Sequence, residues 1–169
     1  MRKTLIQLLF IGLFASAGPL VHAQSAARPA AGSIEFKNIA EVETEVRSAD
    51  SKVEKKRSPV QKAVPGTVVF YTSTFTNIGT KPAGNITINN PVPANTTLVA
   101  ASPYGEGMDI GYSADGGKTW ASADKVKVKG ADGKERPAAV SELTHVRWTQ
   151  RGELAPGKQG EAGFRVTVN

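Results

Sequence analysis

From Ser33 to Arg47 the side chains alternate with a period of two. Ile34, Phe36, Ala40, Val42 and Val46 fall in one row with Asn38 and Thr44, and Glu35, Lys37, Glu41, Glu43, Glu45 and Arg47 fall in the other with Ile39. A strand sends successive side chains to opposite faces, whereas a helix would scatter these β-branched residues around its circumference. The segment is therefore predicted as a half-buried strand, or as two strands kinked near Asn38. Thr67 to Asn77 strengthens the same reading, because nearly every residue in it is β-branched or aromatic. Val69, Tyr71 and Phe75 share one face, which is the expected core face, with the small Ser73 among them.

The rest of the chain is punctuated at short intervals. Residues 48–66 are polar and basic, broken by Pro59 and Pro65-Gly66, and read as a solvated loop containing the run Lys55-Lys56-Arg57. Asn85 to Asn90 is expected to form a short strand with Ile86 and Ile88 inward, stopped by Pro91-Val92-Pro93 because proline cannot donate to a ladder. Thr96 to Ala100 reads as another strand, followed by a Gly/Pro-rich loop over 102–107. Met108 to Ser113 and Lys118 to Ser122 flank Ala-Asp-Gly-Gly, where Asp and Gly tolerate the positive φ of a hairpin turn. Lys125 to Lys129 suggests an exposed strand, 130–141 a mobile polar loop, and Leu143 to Gln150 and Gly163 to Asn169 the last two strands. Short strands with turns every eight to twelve residues or so predict an all-β, antiparallel Ig-like β-sandwich in a single domain over 33–169.

The first residues carry the marks of a secretory signal. Arg2 and Lys3 precede an apolar run from Thr4 to Ala17, too short for the ~20 residues of a membrane-spanning helix. Val21-His22-Ala23 fits a small-x-small cleavage site, as does Ala15-Ser16-Ala17. The expected organisation is a signal peptide over 1–23, a flexible Ala-rich leader over 24–32, and the sandwich. The product is expected to be exported to the periplasm, the cell surface or the medium, without a transmembrane segment in the mature chain. There is no cysteine, so the fold relies on its core alone. The net charge is +6, and removing Arg2 and Lys3 from the 21 basic residues still leaves a modest excess over 15 acidic ones. Such an excess favours solubility and anionic surfaces weakly and does not point to nucleic acid.

Three segments in order, Val64 to Gly79, Asn85 to Val99 and Leu154 to Val168, resemble a bacterial conserved-repeat domain of unknown function, the eleventh in its naming series. Asn90-Pro91 stands where that family usually has an aspartate. The resemblance implies an Ig-like sandwich in surface or secreted proteins, often in tandem, although one copy is present here. It implies no activity. A second, local resemblance lies in Ser113-Ala-Asp-Gly-Gly-Lys-Thr-Trp120, which is similar to the Asp-box hairpin of sialidases and other propeller proteins. There the box is structural. Ser113, Asp115, Gly117, Thr119 and Trp120 are accordingly expected to build a hairpin. Asp115 would accept backbone N–H groups across the turn, and Trp120 would cover the loop.

Residues able to carry chemistry are sparse. His145 is the one histidine beyond the signal, no His/Cys set has metal-ligand spacing, and no nucleophile–base arrangement has a sequence signature. Asp109, Asp115, Asp124 and Asp132 follow no calcium-loop spacing. The Glu41, Glu43, Glu45 row could meet Lys125, Lys127 and Lys129 across a strand pair. No catalytic residue, metal or cofactor is expected. Among Tyr104, Tyr112, Trp120 and Trp148, the two tyrosines are the candidate ligand contacts, while Trp148 reads as core. The expected function is a non-catalytic structural or interaction role in the cell envelope. An unpaired sheet edge or apolar patch would contact an envelope or surface protein. The alternative is a carbohydrate- or small-ligand-binding module, with a glycan as partner.

Overall fold

Alternate burial marks Thr87–Pro91 and His145–Gln150, whereas Val53–Pro59 is exposed nearly throughout. The computed structural model describes residues 33–47 and 53–169, and the signal and leader expected over 1–32 lie outside them. In chain order the strands are β1 (Ile34–Arg47), β2 (Val53–Pro59), β3 (Val68–Asn77), β4 (Thr87–Pro91), β5 (Thr96–Leu98) and β6 (Tyr104–Gly105). There follow β7 (Met108–Ser113), β8 (Lys127–Lys129), β9 (Glu135–Pro137), a 3₁₀ turn (Val140–Glu142), β10 (His145–Gln150) and β11 (Gln159–Val168). The large sheet has the order β2-β1-β3-β11-β5, with β6 also on β11. The small sheet is β4-β10-β7, and β8-β9 is a separate hairpin. Every pairing is antiparallel. The fold is the expected all-β antiparallel sandwich.

The core lies between the two sheets. Val69 and Phe75 of β3 and Ala162, Phe164 and Val166 of β11 face Ile88 of β4 and Val146 and Trp148 of β10, all nearly inaccessible. Tyr71 stacks on Phe164 at 5.2 Å between centroids, and Phe164 meets Trp148 at 5.8 Å, which joins the layers through aromatic contact. Ser73, buried in the same row, has its hydroxyl bonded to the Asn38 and Asn90 side chains. Phe75 lies opposite Gly160 in the β3–β11 register. A Cβ on Gly160 would come 2.2 Å from Phe75 Cζ, so the ring occupies the space a side chain would take. Asn77 closes β3 as a buried hub: its Nδ2 donates to the carbonyls of Lys81 (2.8 Å) and Leu154 (2.7 Å), and its Oδ1 accepts from Gly79 N–H (2.9 Å).

Two segments expected as loops form strands. Val53–Pro59 within the 48–66 stretch pairs with the C-terminal half of β1, from Glu41↔Pro59 to Arg47↔Val53. The basic run is held there by charge. Lys55 Nζ lies 3.0 Å from Glu43 Oε1, and Arg57 covers the Phe70 ring at 4.0 Å. The glutamate row of β1 therefore meets β2, not the lysines near 125–129, whose Lys127 pairs with Glu135 of β9. The second segment is 130–141, where β9 and the 3₁₀ turn are fastened by a bidentate Arg136–Glu142 pair at 2.7 and 2.6 Å. Val126, just before β8, is buried rather than part of an exposed strand. Residues 118–122 contribute one bridge, Tyr112 to Ala121, instead of a full strand. The 102–107 loop contains β6, two residues long.

Candidate functional site

The hairpin from Ser113 to Trp120 is closed by local bonds. Asp115 Oδ1 accepts from the N–H groups of Lys118 (3.0 Å) and Thr119 (2.9 Å), and Oδ2 accepts from the Thr119 hydroxyl (2.7 Å). The buried Ser113 hydroxyl donates to Asp115 Oδ1 (2.7 Å) and accepts from Gly117 N–H (2.9 Å). These donors, led by Thr119 N–H, hold the Asp115 carboxyl far below the usual carboxylate range. Gly116 and Gly117 have φ of +76° and +82°, where glycine is at no steric disadvantage. A Cβ at Gly117 would also approach Trp120 Cζ2 to 3.3 Å.

Trp120 folds back over Gly111 on the outer face of the small sheet. Arg147, opposite Gly111 on β10, lays its guanidinium over the indole at 3.9 Å, and its Nε donates to Asn89 Oδ1 at 2.8 Å. His145 meets the indole edge-on at 6.3 Å. The hairpin thus fixes a tryptophan that in turn fixes an arginine. Residues 89, 120 and 147 come from three separate segments, so no local pattern announces their meeting.

The aromatic candidates are not brought onto one surface. Trp148 is buried, and Tyr112, opposite Val146, points to the inner face and is half-buried. Burial raises the Tyr112 hydroxyl above its ordinary pKa. Tyr104 is exposed and stands apart, on β6 beside β11. Its ring lies against Gly163, where a Cβ would come within 2.6 Å of it, and its hydroxyl donates to Glu161 Oε1 at 2.7 Å. Partial burial, then that bond, raises its pKa. Tyr104 lines a cleft of about 450 Å³ with Glu106, Gln150, Gln159 and Glu161, which places an aromatic ring beside four hydrogen-bonding side chains.

A longer feature runs along the flank where the large sheet overhangs the small one. Ile34, Phe36 and Phe75 on one side and Ile86 and Ile88 on the other line a groove of about 440 Å³. A second hollow of about 220 Å³ continues it between Asn38, Ile39 and Tyr71 and Asn90, Pro91 and Pro93. Between them Ser73 donates to Asn38 Oδ1 (2.7 Å) and accepts from Asn90 Nδ2 (3.0 Å), a polar bridge across the flank. Phe36 remains 46 % exposed although it shares the core face of β1.

Strand β4 forms the small-sheet rim of this groove. Gln150 N–H donates to Ile86 O and Val92 N–H to Thr144 O, so the even-numbered residues of β4 bond to β10. The backbone N–H and C=O of Thr87 and Asn89 consequently point outward, with no partner among the described residues. Elsewhere β2 carries Lys55, Lys56 and Arg57, β7 is bonded at Tyr112 to Ala121, and β5 and β6 are three and two residues long, while the 34–39 part of β1 pairs with β3 alone and carries Glu35 and Lys37. Thr87–Pro91 has no charged residue, and Pro91 alone limits it. Sequence reading anticipated an unpaired edge or apolar patch but not its place.

The remaining polar candidates are dispersed. Asp109 pairs with Arg151 at 3.2 Å, Asp132 accepts from Lys134 N–H at 3.1 Å, and Asp124 is lowered in pKa chiefly by the Ser122 hydroxyl. Among the described residues no three His, Cys, Asp or Glu side chains are gathered to hold a metal ion. No described helix is long and apolar enough to cross a membrane. Comparison with protein-family models matches none of them, and comparison with curated proteins matches none either.

Proposed function

We propose that this chain is an exported, non-catalytic β-sandwich protein with an interaction role in the bacterial cell envelope. The observation that carries this reading is the uncharged β4 edge beside an apolar groove, a combination suited to pairing with another protein segment. The signal-like N-terminus supports export, and the three motifs similar to the conserved-repeat domain support a surface or secreted setting. The test is cross-linking of the tagged chain in envelope preparations, alongside a Thr87→Pro variant. The Thr87 N–H points away from β10, so proline removes a docking donor and leaves the ladder intact. A defined partner lost in the variant supports the reading. Cross-links identical in both chains, or none in either, remove it.

The Tyr104 cleft favours a second reading, a carbohydrate- or small-ligand-binding module, because a ring flanked by carboxylates and amides suits a hydroxylated ligand. A glycan array probed with the chain and with Tyr104→Ala decides it. Binding that disappears with the ring supports this reading, and signal at background for both chains removes it.

A further inference from the structure

We infer that the β4 edge takes an extended partner segment that is acidic at one defined position: a strand that pairs with Thr87 and Asn89 and sets a glutamate carboxylate against Arg147. This rests on the interaction reading above and adds the chemistry of the partner.

Three observations carry it. The outward N–H and C=O groups of Thr87 and Asn89 supply the backbone pairing, and Pro91 ends it, so the docked stretch is short and side chains must add to its hold. The groove beside the edge is lined by Phe36, Ile86 and Ile88, which suits apolar side chains at alternate positions of the incoming strand. On the outer face of the same sheet stands Arg147 of the central strand β10, opposite Asn89. Among the described residues no carboxylate lies within 4.0 Å of its guanidinium. The nearest acidic residue by register, Asp109 of β7, is engaged by Arg151.

Arg147 is also held ready. Its Nε is bonded to Asn89 and its plane is stacked on Trp120, while its terminal nitrogens have no bond to any described residue. A guanidinium fixed this way loses little further freedom on accepting a carboxylate with its remaining N–H groups. Neighbouring strands lie ~4.8 Å apart, so a residue opposite Asn89 on an added strand sits about 10 Å from the Arg147 backbone. Glutamate and arginine together span that distance. The positive excess that remains without Arg2 and Lys3, 19 basic against 15 acidic residues, works weakly in the same direction.

The probe is a short capped peptide in which valines alternate with threonines and the central residue of the threonine face is glutamate. A matched peptide carries lysine there. Binding to a full chain carrying Trp148→Phe, which leaves Trp120 as the emitting indole, is followed by fluorescence, and in the unaltered chain by hydrogen exchange at Thr87 and Asn89. The glutamate peptide is expected to slow exchange at both amides, to bind at least tenfold more tightly than the lysine peptide, and to weaken with salt. Arg147→Gln should erase the preference between the peptides, and Thr87→Pro should weaken both while leaving the thermal transition in place. Equal affinity for the two peptides, with the edge protected, overturns the acidic specificity but leaves edge docking standing. Exchange unchanged at Thr87 and Asn89 with the glutamate peptide overturns the inference outright. A partner that still cross-links to the β4 edge would then keep the interaction reading alive with a different chemistry.

Discussion

Placing a methyl group on Gly160 tests the packing logic of the core at one atom. The added Cβ would fall 2.2 Å from Phe75 Cζ and 2.5 Å from Cε2, on a ring that is 1 % exposed and fixed between the sheets. Forcing an extra carbon into such a site costs about 1–3 kcal/mol. The lower chain entropy of alanine in the unfolded state returns about 0.4–1 kcal/mol. The net expectation for Gly160→Ala is a loss of about 1–2 kcal/mol, or a Tm lower by roughly 3–8 °C for a domain of this size. Thermal unfolding followed by circular dichroism measures it. Shrinking the ring should relieve the clash, so Phe75→Leu and Gly160→Ala together are expected to lose less than the two single changes summed, with a coupling of about 1 kcal/mol. Gly84→Ala is the control, since its Cβ would stop 3.5 Å from the nearest atom, on the Glu153 side chain. A Gly160→Ala protein as stable as the parent, or a strictly additive pair, would refute the claim that this glycine exists to seat the ring.

Asn77→Ala removes three bonds at a residue with no exposed surface and should cost about 2–4 kcal/mol in chemical denaturation, while Asn77→Gln should rescue little because the pocket fits the shorter amide. Ala101 has a φ of +52°, which disfavours a side chain, so Ala101→Gly should raise stability by up to about 1 kcal/mol despite glycine's greater freedom when unfolded. Glu142 is lowered to about 2, first by the Arg136 fork and then by Ala139 N–H, and Asp115 is lowered further still. Both are depressed on folding. Their contribution is therefore present above the unfolded carboxylate pKa and is lost as pH falls through the folded one, for Glu142 between about 5 and 2. Tm should decline across that window, and Glu142→Gln with Asp115→Asn should flatten the decline; an unchanged slope would exclude these two groups as its source.

Features generated within a few residues were readable from the chain. The Ser113 hairpin is one, because all of Asp115's bonds run to Ser113, Lys118 and Thr119. The core face of β3 is another, since a single row of Val69, Tyr71 and Phe75 records its own burial. Strand β2 was hidden because it is an edge strand exposed throughout except at Ser58, which leaves no apolar row to read. Its partner, Glu43, lies on β1 and supplies the charge that holds it. The groove was hidden for a different reason. It arises from one sheet being wider than the other, a relation between strand counts that no segment encodes. The Trp120–Arg147–Asn89 contact likewise depends on register between β4, β10 and the hairpin.

Strand β1 belongs to two neighbourhoods. Its pairing with β3 runs from Ile34 to Val42, and beyond Val42 its backbone pairs with β2 alone. A ribbon of two strands has little cohesion by itself in water, whereas the first half is backed by the sandwich. One continuous strand is thereby divided into an anchored root and a protruding arm. Beyond Val42 the strand is held by the Lys55–Glu43 pair and by Arg57 on Phe70 instead of by the core, so local opening at this end costs less than at the root and leaves the far layer's edge in place.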